Sequence, residues 1–138
     1  MNDYATQLRK NEGLFLSGVG GGMINNIDLI SMTFVCCRKT SIDEARNLYV
    51  QVMQGYLQRI NRDEEIRPYL VQYPFTWDNI DLHFLFQETT NQFSSEGVAT
   101  IFQGKRGEIV YHGYDGKKLY PLYRETREQA IDLANIAN

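Results

Sequence analysis

The chain has 138 residues, of which 43% are hydrophobic and 22% are charged, and its formal net charge is −3. This length suffices for one domain with its own core, and the composition is that of a globular protein, which argues against disorder of the whole chain. Acidic and basic residues are interspersed without the basic stripe that follows a nucleic-acid backbone, so we expect no nucleic-acid partner.

The sequence offers little information about compartment. No apolar run reaches the ~20 residues that span a bilayer, so we expect no membrane span. Residues 1–4 lack the basic and apolar regions of a signal peptide. Two localisations therefore stay open. The protein is either exported, with its signal peptide already removed, or cytoplasmic.

The adjacent Cys36 and Cys37 would point to opposite faces of a strand, so we expect small strand side chains and no disulfide or metal site.

The first predicted elements are a short helix and two strands. A helix is predicted over residues 3–11, begun by Asp3 and ended by Gly13, and a short apolar strand over 14–16. The glycine-rich tract Gly18–Gly22 predicts a bend, a flexible hairpin or close contact between helix and sheet. Residues 27–39 alternate with apolar side chains on both faces, which predicts a central strand or one covered on both sides.

The strongest pattern is a long amphipathic helix after Ser41, which forms a capping box with Glu44. Apolar residues recur at spacings of three and four over four turns, and a helix with one such stripe needs a sheet to pack on. Arg46 belongs to the polar residues predicted to face water, and Gly55 predicts a close approach to the sheet. Pro68 disfavours continuation of the helix. The stripe consists of Ala45, Leu48, Tyr49, Val52, Met53, Tyr56, Leu57 and Ile60.

The second half of the chain predicts four strands and a terminal helix. Alternation over residues 80–87 places four apolar residues inward and Asp81 and His83 outward. A loop (90–97), two strands (98–103 and 108–114), hairpin turns at 104–107 and 115–116, a strand near 119–123 and a helix over 125–137 follow. The order predicts one α+β domain, residues 1–138, in which a curved antiparallel sheet packs on the long helix, as in cystatin-like or nuclear-transport-factor-like folds. That analogy carries no function.

The sequence matches the known motifs of catalytic and cofactor-binding sites poorly. We therefore expect no metal and no cofactor. The tract Gly18–Gly22 lacks both the third glycine of a dinucleotide fingerprint and the Gly-Lys-Ser/Thr of a P-loop, although anion binding there stays open. A histidine beside a carboxylate can act as a general base, and two histidines with a carboxylate can bind a metal. The alternative function is therefore a small-molecule pocket or small enzyme between helix and sheet, lined by Asp81, His83 and His112.

An aromatic cluster beside an arginine follows the long helix, and these residue types dominate protein interfaces. Our leading hypothesis is a non-enzymatic domain that uses this cluster to bind a protein partner or a second copy of itself, with a further contact by the edge strand near 117–123. The competing interpretation is that the cluster braces the helix end, with the arginine stacked on a tyrosine within the fold. The cluster consists of Arg67, Tyr69, Tyr73, Phe75 and Trp77.

The same segment carries a resemblance. It has Ile-Arg-Pro-Tyr-Leu at 66–70, two further residues, and Tyr-Pro-Phe-Thr at 73–76. In this motif and the long helix before it, the chain resembles an uncharacterised family of small bacterial α+β proteins. The resemblance implies a shared fold from about Leu14 to the terminal helix, and export more often than a cytosolic location. It implies no activity and no catalytic residues.

Overall fold

The fold is known from a computed structural model that describes residues 2–21, 26–89, 92–104 and 106–137. In these ranges, short 3-10 turns at Arg67–Tyr69 and Trp77–Asn79 separate the long helix from the strand that follows it. The helices and strands, in chain order, are α1 (Asn2–Glu12), β1 (Leu14–Gly21), β2 (Ile30–Cys36), α2 (Ile42–Arg62), β3 (Ile80–Thr89), β4 (Gln92–Phe93), β5 (Thr100–Gln103), β6 (Glu108–Tyr114), β7 (Leu119–Thr126) and α3 (Arg127–Ala137).

The strands form one open sheet in the order β1-β2-β3-β5-β6-β7, and the short β4 pairs with the end of β3. The predicted α+β class with a mostly antiparallel sheet and a C-terminal helix is confirmed. β2 lies inside the sheet, as predicted for a central strand. One pair, β2 and β3, is parallel, because α2 connects these strands as a crossover. The sequence pattern predicted the strands but not this pairing.

The core lies between α2 and one face of the sheet. Ser41 caps α2 as predicted, since its Oγ accepts a hydrogen bond from the Glu44 backbone N–H at 3.2 Å. Tyr49 is fully buried, and its hydroxyl donates to the carbonyl oxygen of Leu82 at 2.8 Å. Each buried side chain of this size stabilises the fold by about 1.5–3 kcal/mol. The buried residues of β2 and β3 are Ile30, Met32, Phe34, Cys36, Ile80, Leu82, Phe84 and Phe86.

Helix α1 packs beside α2 where Gly55 leaves room for it. A Cβ on Gly55 would overlap with the ring of Tyr4. That ring makes an edge contact with Tyr56 at 4.8 Å between centroids, and the guanidinium of Arg59 lies 3.8 Å from its centroid on the face of the ring. The prediction of a close approach at Gly55 is correct, but the partner is α1 rather than the sheet.

Other boundaries differ from the predictions. The glycine tract continues β1 as an extended edge strand through Gly21, and Gly22 lies outside the described residues. The predicted loop 90–97 contains the short strand β4. Glu125 belongs to β7 and not to the terminal helix. Among the described helices, none combines the length and apolar character needed to cross a membrane.

Candidate binding surface on the open face of the sheet

The face of the sheet turned away from α2 carries the strand residues that alternate with the buried set. The register of β3, β5 and β6 brings residues from distant parts of the chain side by side on this face. We call this surface the open face. Its members on the three strands are Asp81, His83, Leu85, Thr100, Phe102, Val110 and His112.

Three rings on neighbouring strands stack at the centre of the open face. The phenyl ring of Phe102 lies between two imidazoles, with centroid distances of 5.6 Å to His83 and 5.4 Å to His112. The rings are nearly parallel, at 14° and 8°. A second pair, Phe93 and Tyr114, lies at 5.5 Å further along the face. We call His83, Phe102 and His112 the ring stack.

Charged side chains surround the ring stack. His83 Nε2 lies 3.0 Å from Asp81 Oδ1, and Arg124 Nη1 lies 3.3 Å from Glu108 Oε2. Burial, followed by the charge of Arg124, lowers the pKa of His112, so this imidazole favours the neutral form. Two buried polar atoms, His112 Nδ1 and the hydroxyl of Thr100, its register partner, have no hydrogen-bond partner among the described residues. The surface is therefore aromatic at its centre and mixed in charge at its margin.

The structure corrects the predicted pocket of Asp81, His83 and His112. The three residues do lie on one face, but it is the face opposite α2, because the space between α2 and the sheet is filled by the core. Phe102 separates the imidazoles, so they are not placed to share a metal ion or a proton. Within the described ranges there is also no group of three or more His, Cys, Asp or Glu that could hold a metal.

Asn61 forms hydrogen bonds with three residues of the predicted aromatic cluster after α2, which are Arg67, Tyr73 and Phe75. The guanidinium of Arg67 lies 4.4 Å from the ring centroid of Tyr73, and both side chains donate to the carbonyl oxygen of Asn61, at 3.1 and 3.2 Å. The Asn61 side chain also pairs with the backbone of Phe75, accepting from its N–H at 2.7 Å and donating to its oxygen at 3.0 Å. The predicted stacking of Arg67 within the fold is therefore observed.

The members of the cluster differ in burial, which separates their roles. Phe75 is only 3% exposed and belongs to the core. Trp77 is half-buried, with its ring 6.3 Å from that of Tyr49. Phe75 braces the end of α2 and offers no free surface to a partner, whereas Trp77 packs beside Tyr49 in the first half of α2. Tyr69 and Tyr73 are exposed, and binding through them, Arg67 and Trp77 stays a prediction.

Replacing Asn61 by Ala is expected to lower the free energy of unfolding by about 1–2 kcal/mol, because it removes both side-chain hydrogen bonds to the backbone of Phe75. The measurement is urea denaturation. Asn47→Ala on the same helix is the matched control, and we expect it to change stability by less than about 0.5 kcal/mol. Equal losses in the two variants would show that Asn61 does not organise the segment.

A buried polar network that the sequence analysis missed joins α2 to the sheet. Arg46 is 6% exposed and Glu125 is 4% exposed. Arg46 Nε donates to both carboxylate oxygens of Glu125, at 3.1 and 3.0 Å, and Nη1 donates to Asp43 at 2.6 Å. The hydroxyl of Tyr111 donates to the same carboxylate.

The shifts in pKa follow from this geometry. Burial opposes the charge of Arg46, but the hydrogen bonds that Arg46 donates to Glu125 and Asp43 outweigh it and raise the pKa of Arg46. Burial and the adjacent carboxylate raise the pKa of Tyr111. The prediction that Arg46 faces water is wrong. The sequence does contain one signal, because the apolar Val50 lies one turn later on the same side of α2 and is also buried.

No protein-family model, curated protein or solved structure matches this chain. The likeness to cystatin-like or nuclear-transport-factor-like folds, and to the bacterial family that shares the segment after α2, therefore stays a prediction.

Proposed function

We propose that this chain is a protein-binding domain that recognises its partner, another protein or a second copy of itself, on the open face of the sheet. The observation that carries this proposal is the ring stack, an aromatic centre with Asp81, Glu108 and Arg124 at its margin. Protein interfaces have this anatomy, with aromatic residues at the core and a polar rim.

The form of the surface favours a macromolecule over a small ligand. Small-molecule sites are concave and bury 70–90% or more of their ligand, whereas the depression of about 460 Å³ beside Phe102 and His112 opens to solvent. Imidazoles flank the Phe102 ring on both sides, at 5.6 and 5.4 Å between centroids, so a planar ligand would compete with them to stack on this ring. An extended partner can instead contact the ring edges and Leu85 together.

The experiment places a photocrosslinking amino acid at one position at a time in cells that naturally make the protein. Position 83 probes the open face, position 69 probes the exposed tyrosines after α2, and position 58 on the exposed side of α2 is the control. We expect adducts of discrete mass from position 83 and none from position 58. Mass spectrometry then shows whether the partner is a second copy or another protein.

A substitution on the same face completes the test. Phe102→Gln removes the centre of the ring stack without touching the core, so the variant should melt within a few degrees of the unsubstituted chain and lose the adduct formed at position 83. Adducts from position 69 alone would move the binding surface to the segment after α2. Position 83 giving no adduct, or the same adducts as position 58, would refute the proposal.

A further inference from the structure

The strand at one edge of the sheet carries no charge or proline of its own that would hinder pairing with another strand. β1 pairs only with β2 among the described residues, and no charged residue or proline occurs between Leu14 and Gly21. An exposed apolar edge strand of this kind is a template for another strand. At the other edge, β7 contains Pro121, and its pairing with β6 is interrupted by a bulge. Both features hinder strand addition.

Exposed apolar side chains of β1 share a face because of a bulge. Leu16 pairs with Phe34 and Val19 with Met32, so both point to the side of the sheet that α2 covers. An odd separation in the chain normally puts two residues on opposite faces, and the register shift between Leu16 and Gly18 cancels that alternation. Leu16 is exposed, and Val19, at 66%, is the most exposed of the large hydrophobic residues described.

Gly18 and Gly20 of β1 are not required by the packing of the chain itself. A Cβ on Gly18 would meet nothing within 4 Å, and one on Gly20 would only touch the Cβ of Ser31 at 3.8 Å. Neither glycine has a positive φ. Glycine within a strand often marks the close approach of another chain or ligand, and within the described residues no such neighbour lies over Gly20.

We propose that β1 pairs antiparallel with β1 of a second copy, in the register that places Leu16 opposite Val19. This one register also places Phe15 opposite Gly20, and both lie on the open-face side, since they pair with Val35 and Ser31 of β2. The two exposed aliphatic side chains then cover each other, and the phenyl ring lies over the glycine, as aromatic residues do over edge glycines.

The neighbourhood of α1 favours glycine in the incoming strand. Ala5, Thr6 and Arg9 of α1 border the edge at Phe15 and Leu16, where they line a depression of about 200 Å³. In the proposed register Phe15, whose ring centroid lies 5.3 Å from the Arg9 guanidinium, faces Gly20 of the second copy, which brings no side chain, and Leu16 faces Val19. The β1 sequence of a second copy therefore fits beside β1 at this edge of the sheet. This pairing uses a different surface from the open face and does not depend on the proposed function.

Sedimentation equilibrium on the purified full chain tests the pairing. We expect a reversible dimer whose dissociation constant rises at least about tenfold in Val19→Lys, because a charge then faces an apolar side chain in each of two symmetry-related pairs. Leu122→Lys on β7 is the matched control and should leave the dimer unchanged. A monomer at all concentrations, or a Val19→Lys dimer as tight as the unsubstituted one, overturns the pairing.

A second variant separates an interface role from a structural one. Gly20→Val adds a side chain where the monomer has space and raises strand propensity, so its melting temperature at monomeric dilution should stay the same or rise while the dimer weakens at least about fivefold. A dimer of unchanged affinity in this variant would refute the register. Phe102→Gln should leave the β1 dimer intact, which keeps this result apart from the test of the open face.

The register itself is tested by disulfide formation in a Cys37→Ser background. A chain carrying Leu16→Cys mixed with one carrying Val19→Cys should form a mixed disulfide much faster than either chain forms its own. Equal rates in all three cases would contradict the proposed alignment of the strands.

Discussion

Replacing Arg46 by Ala is expected to lower the free energy of unfolding by about 3–5 kcal/mol, the loss typical of a buried ion pair from which one partner is removed. The carboxylate of Glu125 would stay buried, with the hydroxyl of Tyr111 as its remaining side-chain partner. The desolvation of a charge costs far more than one hydrogen bond returns. Urea denaturation at neutral pH measures the loss.

Two controls show whether the uncompensated charge is the cause. Asp43→Asn removes the exposed partner of Arg46 and should change stability by less than about 1 kcal/mol, because exposed ion pairs contribute little. The triple variant Arg46→Met, Tyr111→Phe, Glu125→Leu replaces the whole network with apolar groups and should recover most of the loss. A loss below about 1 kcal/mol in Arg46→Ala would show that water reaches Glu125 and that the network is not a buried pair.

The network also bears on the open face. Glu125 and Tyr111 lie on β7 and β6, and the same strands carry Arg124 and His112 on the opposite side. Anchoring these strands to α2 fixes the position of the His112 ring relative to Phe102. We therefore expect Arg46→Ala to disturb the ring stack, even though Arg46 itself lies on the other side of the sheet.

The helices and the strand alternation could be predicted because they depend on local patterns. The cap at Ser41, the apolar stripe of α2 and the inward residues of β3 all follow from periods of 3.6 and 2. The ring stack could not be predicted in this way, since His83, Phe102 and His112 become neighbours only through the register of three strands. Alternation placed His83 outward, but it left the neighbours of all three side chains unknown.

Composition could not predict which residues of the segment after α2 are buried. The residue types from Arg67 to Trp77 indicated an interface, yet Phe75 is a core residue. Its burial depends on a side chain elsewhere, Asn61, which holds its backbone against the helix end. Composition identifies residues able to bind, whereas the path of the backbone decides which of them reach the surface.

Gly97→Ala is expected to lower the free energy of unfolding by about 2–5 kcal/mol, as two effects add. Gly97 has φ = +73°, a conformation that costs an L-residue about 1–2 kcal/mol. A Cβ there would also overlap with the carbonyl oxygen of Thr40, a buried backbone atom that accepts from Val98 N–H at 2.9 Å. Overpacking of this kind typically costs a further 1–3 kcal/mol.

The chain supplies a matched control for the first of these effects. Gly116 also has a positive φ, +98°, but an added Cβ would meet nothing within 4 Å. Gly116→Ala should therefore lose only the conformational part, about 1–2 kcal/mol, and the difference between the variants measures the contact with Thr40. Equal losses by urea denaturation would mean that the backbone around Gly97 and Thr40 shifts to accommodate the added Cβ without a cost in stability. A larger loss at Gly97 means that the backbone at Thr40 does not move aside for the added Cβ.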